Sequence, residues 1–251
     1  MRSLRLTALA VGLSMVMAGA FAGRAAAQAG GRSGSDSPGQ QALNDGRKAL
    51  EGDDFPTAEA KFREAISLDP KLNDAYWRLA AILYGKKKYT EAIAELRKAP
   101  DSQDVDVREQ LGLSLYKTAT PPPAESIRLL EEVVAARPES YAAQLQLGQY
   151  LVKTEPKRAA AALEQYLKNR PPAAASQDPQ VHERLGTAYI YAKDWEAAQR
   201  EFEALLKTKP NDMTAKLMLG SVFVGKNACS QAISLYERIL GEAVQIGRAH
   251  V

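Results

Sequence analysis

Compared with itself, the 251-residue chain shows an internal period that constrains the fold more than any other feature. Gly46, Ala58, Phe62, Ala65 and Pro70 reappear as Ala80, Ala92, Leu96, Ala99 and Asp104, each displaced by 34 residues. Later, Gly186, Ala198, Phe202 and Leu205 reappear as Gly220, Ala232, Tyr236 and Ile239 at the same displacement. A unit this short cannot bury an apolar face alone, so neighbours must stack and cover one another. In this register six units span about 39–72, 73–104, 105–140, 141–178, 179–212 and 213–243. The spacing lengthens to 36 residues between Gly112 and Gly148, and to 38 between Gly148 and Gly186. Thr120-Pro121-Pro122-Pro123 and the stretch from Pro171 to Pro179 absorb the excess as loop insertions, because consecutive prolines cannot continue a helix.

Within each unit the residue types specify a helix hairpin. Gly46, Ala80, Gly112, Gly148, Gly186 and Gly220 fall in the middle of each first helix, where glycine costs about 1 kcal/mol relative to alanine, so close packing must offset it. Ala58, Ala92, Ser126, Ala159, Ala198 and Ala232 lie at the matching level of each second helix, which predicts a crossing where small faces small. Four positions later come Phe62, Leu96, Leu130, Leu163, Phe202 and Tyr236, large enough to fill the space toward the next helix. Pro70, Pro138, Pro171 and Pro210 then end second helices, because proline lacks the required N–H.

The pattern L-G-x-x-Y…A-x-x-x-F…P at a period of 34 resembles the tetratricopeptide repeat. Its fullest copy is Leu185-Gly186-x-x-Tyr189…Ala198-x-x-x-Phe202…Pro210, with His182 where the family prefers Trp. The resemblance implies an all-α fold, a superhelical solenoid of about six helix hairpins whose first helices line a concave groove. It implies a non-enzymatic scaffold that takes a protein or peptide partner in that groove, with no cofactor. Carried over position by position, the groove residues are Arg47, Trp77, Tyr84, Glu109, Tyr116, Lys117, Lys153, Glu183 and Tyr191. Trp77, Tyr84, Tyr116 and Tyr191 are the expected anchors, since aromatics dominate interface energetics. An aromatic at helical spacing is equally a core residue, and both readings stay open here. The paired Lys and Asn of the family's carboxylate-binding subclass are replaced by Leu43 and Arg47, so a carboxylate clamp is not expected.

Composition excludes several other functions. Removing residues 1–27, which hold Arg2, Arg5, Arg24 and no acid, leaves 30 cations facing 30 anions. A neutral chain has no electrostatic footprint for nucleic acid or an anionic membrane. One cysteine rules out an internal disulfide, and two histidines leave little for a transition-metal site. There is no H-E-x-x-H, G-x-S-x-G, glycine-rich phosphate loop or C-x-x-C. His182 is expected to pack rather than catalyse, Cys229 to be a small buried hydrophobe, and Lys86-Lys87-Lys88 to be a solvated turn.

The two ends carry signals of their own. Arg2 and Arg5, an apolar run from Leu6 to Ala22, and Ala25-Ala26-Ala27 before Gln28 form an export signal with cleavage placed after Ala27, implying a periplasmic or secreted protein. A permanent anchor is disfavoured because the run is shorter than about 20 residues and is interrupted by Gly12, Ser14 and Gly19. Residues 28–38 read as a flexible Gly/Ser-rich leader. At the other end, 246–251 lacks periodicity and matches the translation of a common sequencing adapter. Those six residues are therefore set aside as adapter-derived, and the natural chain is expected to continue past about Gln245. The alternative function that follows is the repeat portion of a larger exported protein, such as a protease or outer-membrane assembly factor.

Overall fold

A computed structural model describes residues 36–249, with side chains through Glu242. The expected signal segment and most of the leader lie outside the described residues. Among those described there are twelve α-helices and no strand: α1 (Pro38–Glu51), α2 (Phe55–Leu68), α3 (Asn73–Gly85), α4 (Tyr89–Leu96), α5 (Val105–Tyr116), α6 (Ala124–Ala136), α7 (Tyr141–Leu151), α8 (Pro156–Asn169), α9 (Asp178–Ala192), α10 (Trp195–Thr208), α11 (Met213–Gly225) and α12 (Cys229–Ala249). They form six hairpins in the register of the sequence period. The architecture is an all-α helical repeat solenoid.

Local chemistry sets the helix ends. Asp54, Asp104, Asp194 and Asp212 each precede a helix and accept a backbone N–H from its first turn, satisfying donors that the helix leaves orphaned. Asp69, Arg137 and Lys209 follow helices in extended backbone, with φ of −144°, −140° and −131°. Each precedes a proline, whose ring disfavours helical backbone at the residue before it. Between the two helices of the regular hairpins, Asp53, Lys87, Lys193 and Asn227 adopt φ of 55° to 60° at equivalent repeat positions. The insertion at Thr120–Pro123 is a loop, as expected. The stretch after α8 instead winds as a 3₁₀ turn, Pro172–Gln177, leading directly into α9.

The chain divides into two compact units, one running to Gln146 and including Asn169–Ala174, the other comprising Leu147–Lys168 and Ala175 onward. In the first unit Leu43, Phe62, Trp77, Leu79, Ile82, Leu83 and Leu96 form a continuous buried core. In the second, Phe202, Leu205, Val222, Leu235 and Ile239 do the same. First helices of successive repeats adjoin, α3 with α5 in the first unit and α9 with α11 in the second.

The helix crossing differs from the sequence expectation. The glycines face the large residue of the second helix rather than the alanine. A Cβ at Gly46 would lie 2.6 Å from Phe62, at Gly186 2.8 Å from Phe202, and at Gly220 2.5 Å from Tyr236. The small residues are buried nearby, and the third repeat adds a direct tie, Ser126 Oγ donating to the Gly112 carbonyl at 2.8 Å.

One further expectation is corrected: Cys229 is exposed, because it opens α12 where the chain is only entering the helix. The backbone of 246–249 continues α12. At the outer side of the sixth repeat Leu217, Val224, Ile233 and Leu240 stay 44–65% exposed, whereas Trp77, at the repeat position of Leu217, is 2% exposed. No described helix is long and apolar enough to cross a membrane.

Candidate functional site

The expected groove residues divide into those consumed by the fold and those left accessible. Trp77 belongs to the core. Arg78 stacks its guanidinium 4.2 Å from the centroid of the indole, whose N–H donates to Asp74 Oδ1 at 3.2 Å. Its assignment as an anchor is therefore corrected: the side chain is 2% exposed and belongs to the buried core of the first unit. Arg47 is half-buried and reaches across from α1 to form an ion pair with Asp74 on α3. Burial by itself would raise the pKa of Asp74, but the charges of Arg78 and Arg47 and the bonds from Trp77 and Arg47 hold it below the ordinary carboxylate value.

Glu109, at the repeat position of Trp77, is also buried. Ser140 Oγ donates to one carboxylate oxygen and Arg137 Nη1 to the other at 3.2 Å, while Arg137 Nη2 donates to Asp106 at 2.8 Å. Burial pushes the pKa of Glu109 up against the opposing pull of Ser140 and Arg137. This carboxylate holds α5 to the chain between α6 and α7, and its role as a groove contact is corrected accordingly.

Of the remaining candidates of the first unit, Lys117 lines a cleft, while Tyr84 and Tyr116 each contact one of its lining residues. Tyr84, at the end of α3, packs edge-to-face on Tyr89 with ring centroids 5.3 Å apart. Burial, with Tyr89 and Tyr116 nearby, pushes its hydroxyl pKa upward. Tyr116 is half-buried at the end of α5, and Lys117 places its ammonium 5.6 Å from that ring. Lys117 keeps much of its surface in water, yet its surroundings remove enough hydration from the ammonium to lower its pKa. Lys87, Lys88, Tyr89, Thr90, Glu91, Lys117 and Thr118 line a cleft of about 380 Å³. The sequence reading missed the turn residues, taking Lys86-Lys87-Lys88 as one solvated run. The usable signal was the repeat itself, which sets the turn of one unit beside the end of the first helix in the next. Lys86 is separate from its neighbours, pairing backward with Glu59 of α2 at 2.5 Å.

In the second unit Lys153 and Tyr191 are exposed, Tyr191 by 49%, and Glu183 is half-buried on the same helix as Tyr191. His182, also on that helix, bonds through Nδ1 to Glu201 of α10 at 2.6 Å and so ties the two helices of its hairpin. Among the described residues no cluster of histidine, cysteine and carboxylate groups could hold a metal ion.

Comparison with known proteins agrees with this construction. The tetratricopeptide repeat model matches residues 43–106 and 183–245, together just over half of the chain. Among solved structures, a TPR protein named YrrB, described as having an unusual peptide-binding site, matches with a TM-score of 0.52 at 20% identity over 69% of this chain and 88% of its own. PilW, described as a widely conserved type IV pilus biogenesis factor, matches with a TM-score of 0.54 at 20% identity over 82% and 94%. A tetratricopeptide repeat protein from Parabacteroides merdae matches at 0.52 and 12% identity over 82% and 80%. None of the curated protein sequences matches. The period, the hairpins that carry it and the match over more than half its length establish that the chain belongs to the tetratricopeptide repeat family.

Proposed function

We propose that the protein is an exported, non-enzymatic scaffold that binds a protein or peptide segment along the first-helix faces of its repeats, in an envelope-assembly or adaptor role. The observation that carries this reading is the survival of accessible aromatic and charged side chains, Tyr116 with Lys117 and Tyr191, on first helices whose opposite sides are buried in the repeat stack. Amphipathic rings beside flexible charges are the usual components of an interface centre and its rim. YrrB, whose description records a peptide-binding site, offers a parallel on the same fold. Export rests on the N-terminal sequence alone, with its basic start, apolar run and small residues before Gln28.

Site-specific photo-crosslinking in the native cell tests the reading. A photoreactive residue at Tyr116 or Tyr191 should capture a discrete polypeptide, whereas the same residue at Arg128, exposed on the second helix α6, should not. Equal labelling at all three positions would exclude a defined binding face.

A further inference from the structure

We propose that the cleft between the α3–α4 turn and the end of α5 is a subsite for the carboxylates of an acidic stretch in the bound peptide. This rests on the peptide-scaffold reading above and adds the chemistry of the partner. Three lysines, Lys87, Lys88 and Lys117, line a space of about 380 Å³ together with Tyr89, Thr90 and Thr118, the last of whose hydroxyls already donates to the Leu115 carbonyl. The one acid present, Glu91, is engaged by Lys88 at 2.9 Å. The cleft therefore keeps a positive excess in a chain whose repeat region is balanced in charge, so overall composition does not account for it.

Lys117 carries the inference further. Its ammonium is partly withdrawn from water, and its contact is the face of Tyr116 rather than a carboxylate. Withdrawing a cation from water without a counter-charge is unfavourable, and an incoming carboxylate would remove that cost. Several lysines elsewhere in the same unit do have a carboxylate partner: Lys61 pairs with Glu64, Lys86 with Glu59 and Lys98 with Glu95. The opening of α4 adds to the field, since Lys88 at its N-cap makes no side-chain cap bond and the helix dipole favours negative charge there. Lys88 is paired with Glu91 and Lys117 lies over the Tyr116 ring, so the cations are carried by separate elements. Carboxylates spaced along an extended peptide can meet cations on separate elements, and their aliphatic stems would rest on Tyr89.

Selection of short random peptides displayed on phage against the full chain, followed by fluorescence anisotropy of the recovered peptides, tests the proposal. Recovered sequences should be enriched in Asp and Glu. Lys87→Gln with Lys117→Gln should lower their affinity about tenfold, with melting unchanged, and added salt should weaken binding to the unsubstituted chain. Lys98→Gln, outside the cleft, should leave affinity as it was, and inorganic phosphate should not compete. Recovery of neutral or basic peptides indifferent to the lysine pair would overturn the acidic subsite and leave the scaffold reading standing. Full displacement by inorganic phosphate would overturn it in favour of a small-anion site. Recovery of no binding sequence would count against both.

Discussion

At the scale of single residues the fold depends on one contact repeated along the chain. Each mid-helix glycine leaves room for a large side chain from the second helix of its hairpin. Gly186→Ala places a methyl group 2.8 Å from the Phe202 ring, so the ring must move, and overpacking of this kind costs about 1–3 kcal/mol. The second repeat already shows the compensation, since Ala80 occupies the glycine position and Leu96 the aromatic one, both buried. Phe202→Leu added to Gly186→Ala should therefore recover part of the loss, and the coupling should appear as non-additivity in a thermal or denaturant double-mutant cycle. Strict additivity would mean that the two residues do not meet. The sequence revealed that something at Gly186 must offset the cost of glycine, but it suggested Ala198 as the partner. Periodicity locates the level at which two helices cross without saying which of two residues, four apart on one face, points into the crossing. Trp77 illustrates the same ambiguity: its position in the repeat is clear from the period, while its burial in the core is a tertiary property that the period does not contain.

At the scale of helices, ion pairs between elements, Arg47 with Asp74 across two repeats and Arg137 with Glu109 within one, set opposite responses to pH. Asp74 links α3 to Arg47 on α1, and its pKa is depressed below the ordinary 3.8 by Arg78 and Arg47. A depressed carboxylate adds stability above its unfolded-state pKa, and this is lost as pH falls through the folded value. Asp74→Asn should thus lower the melting temperature at neutral pH, and the difference from the unsubstituted chain should close in acid. Glu109 behaves in the reverse sense, because burial raises its pKa above 4.5. The stability of the unsubstituted chain relative to Glu109→Gln should fall as pH rises from the unfolded to the folded pKa of that group. Melting curves from acid to neutral pH would check both, and parallel shifts for the two variants would contradict the assignment. These pairs were not legible in the sequence, where Arg47 and Glu109 were read as groove contacts. A charged residue on a first helix can face a ligand, the adjoining first helix as Arg47 does, or the chain that follows its own hairpin as Glu109 does, and only tertiary packing decides among them. The ends of second helices were legible, since the prolines after them act through local backbone chemistry that needs no tertiary context.

At the scale of the whole molecule, the proposed binding face rests on first helices that keep a tyrosine in contact with solvent, the half-buried Tyr116 in the first unit and the exposed Tyr191 in the second. The family, the hairpin count and the all-α class followed from the period alone, whereas the accessible subset of groove residues required the burial of every neighbour. Affinity of the full chain for a peptide recovered by selection, measured by calorimetry beside the melting temperature for Tyr116→Ala, Tyr191→Ala and Trp77→Ala, separates the binding face from the core. Tyr116→Ala or Tyr191→Ala should weaken binding by about 2 kcal/mol while helicity and melting hold, and Trp77→Ala should instead cost about 3–5 kcal/mol of stability. Unchanged affinity in both tyrosine variants, or affinity lost only in step with the fold, would contradict a binding face on the first helices.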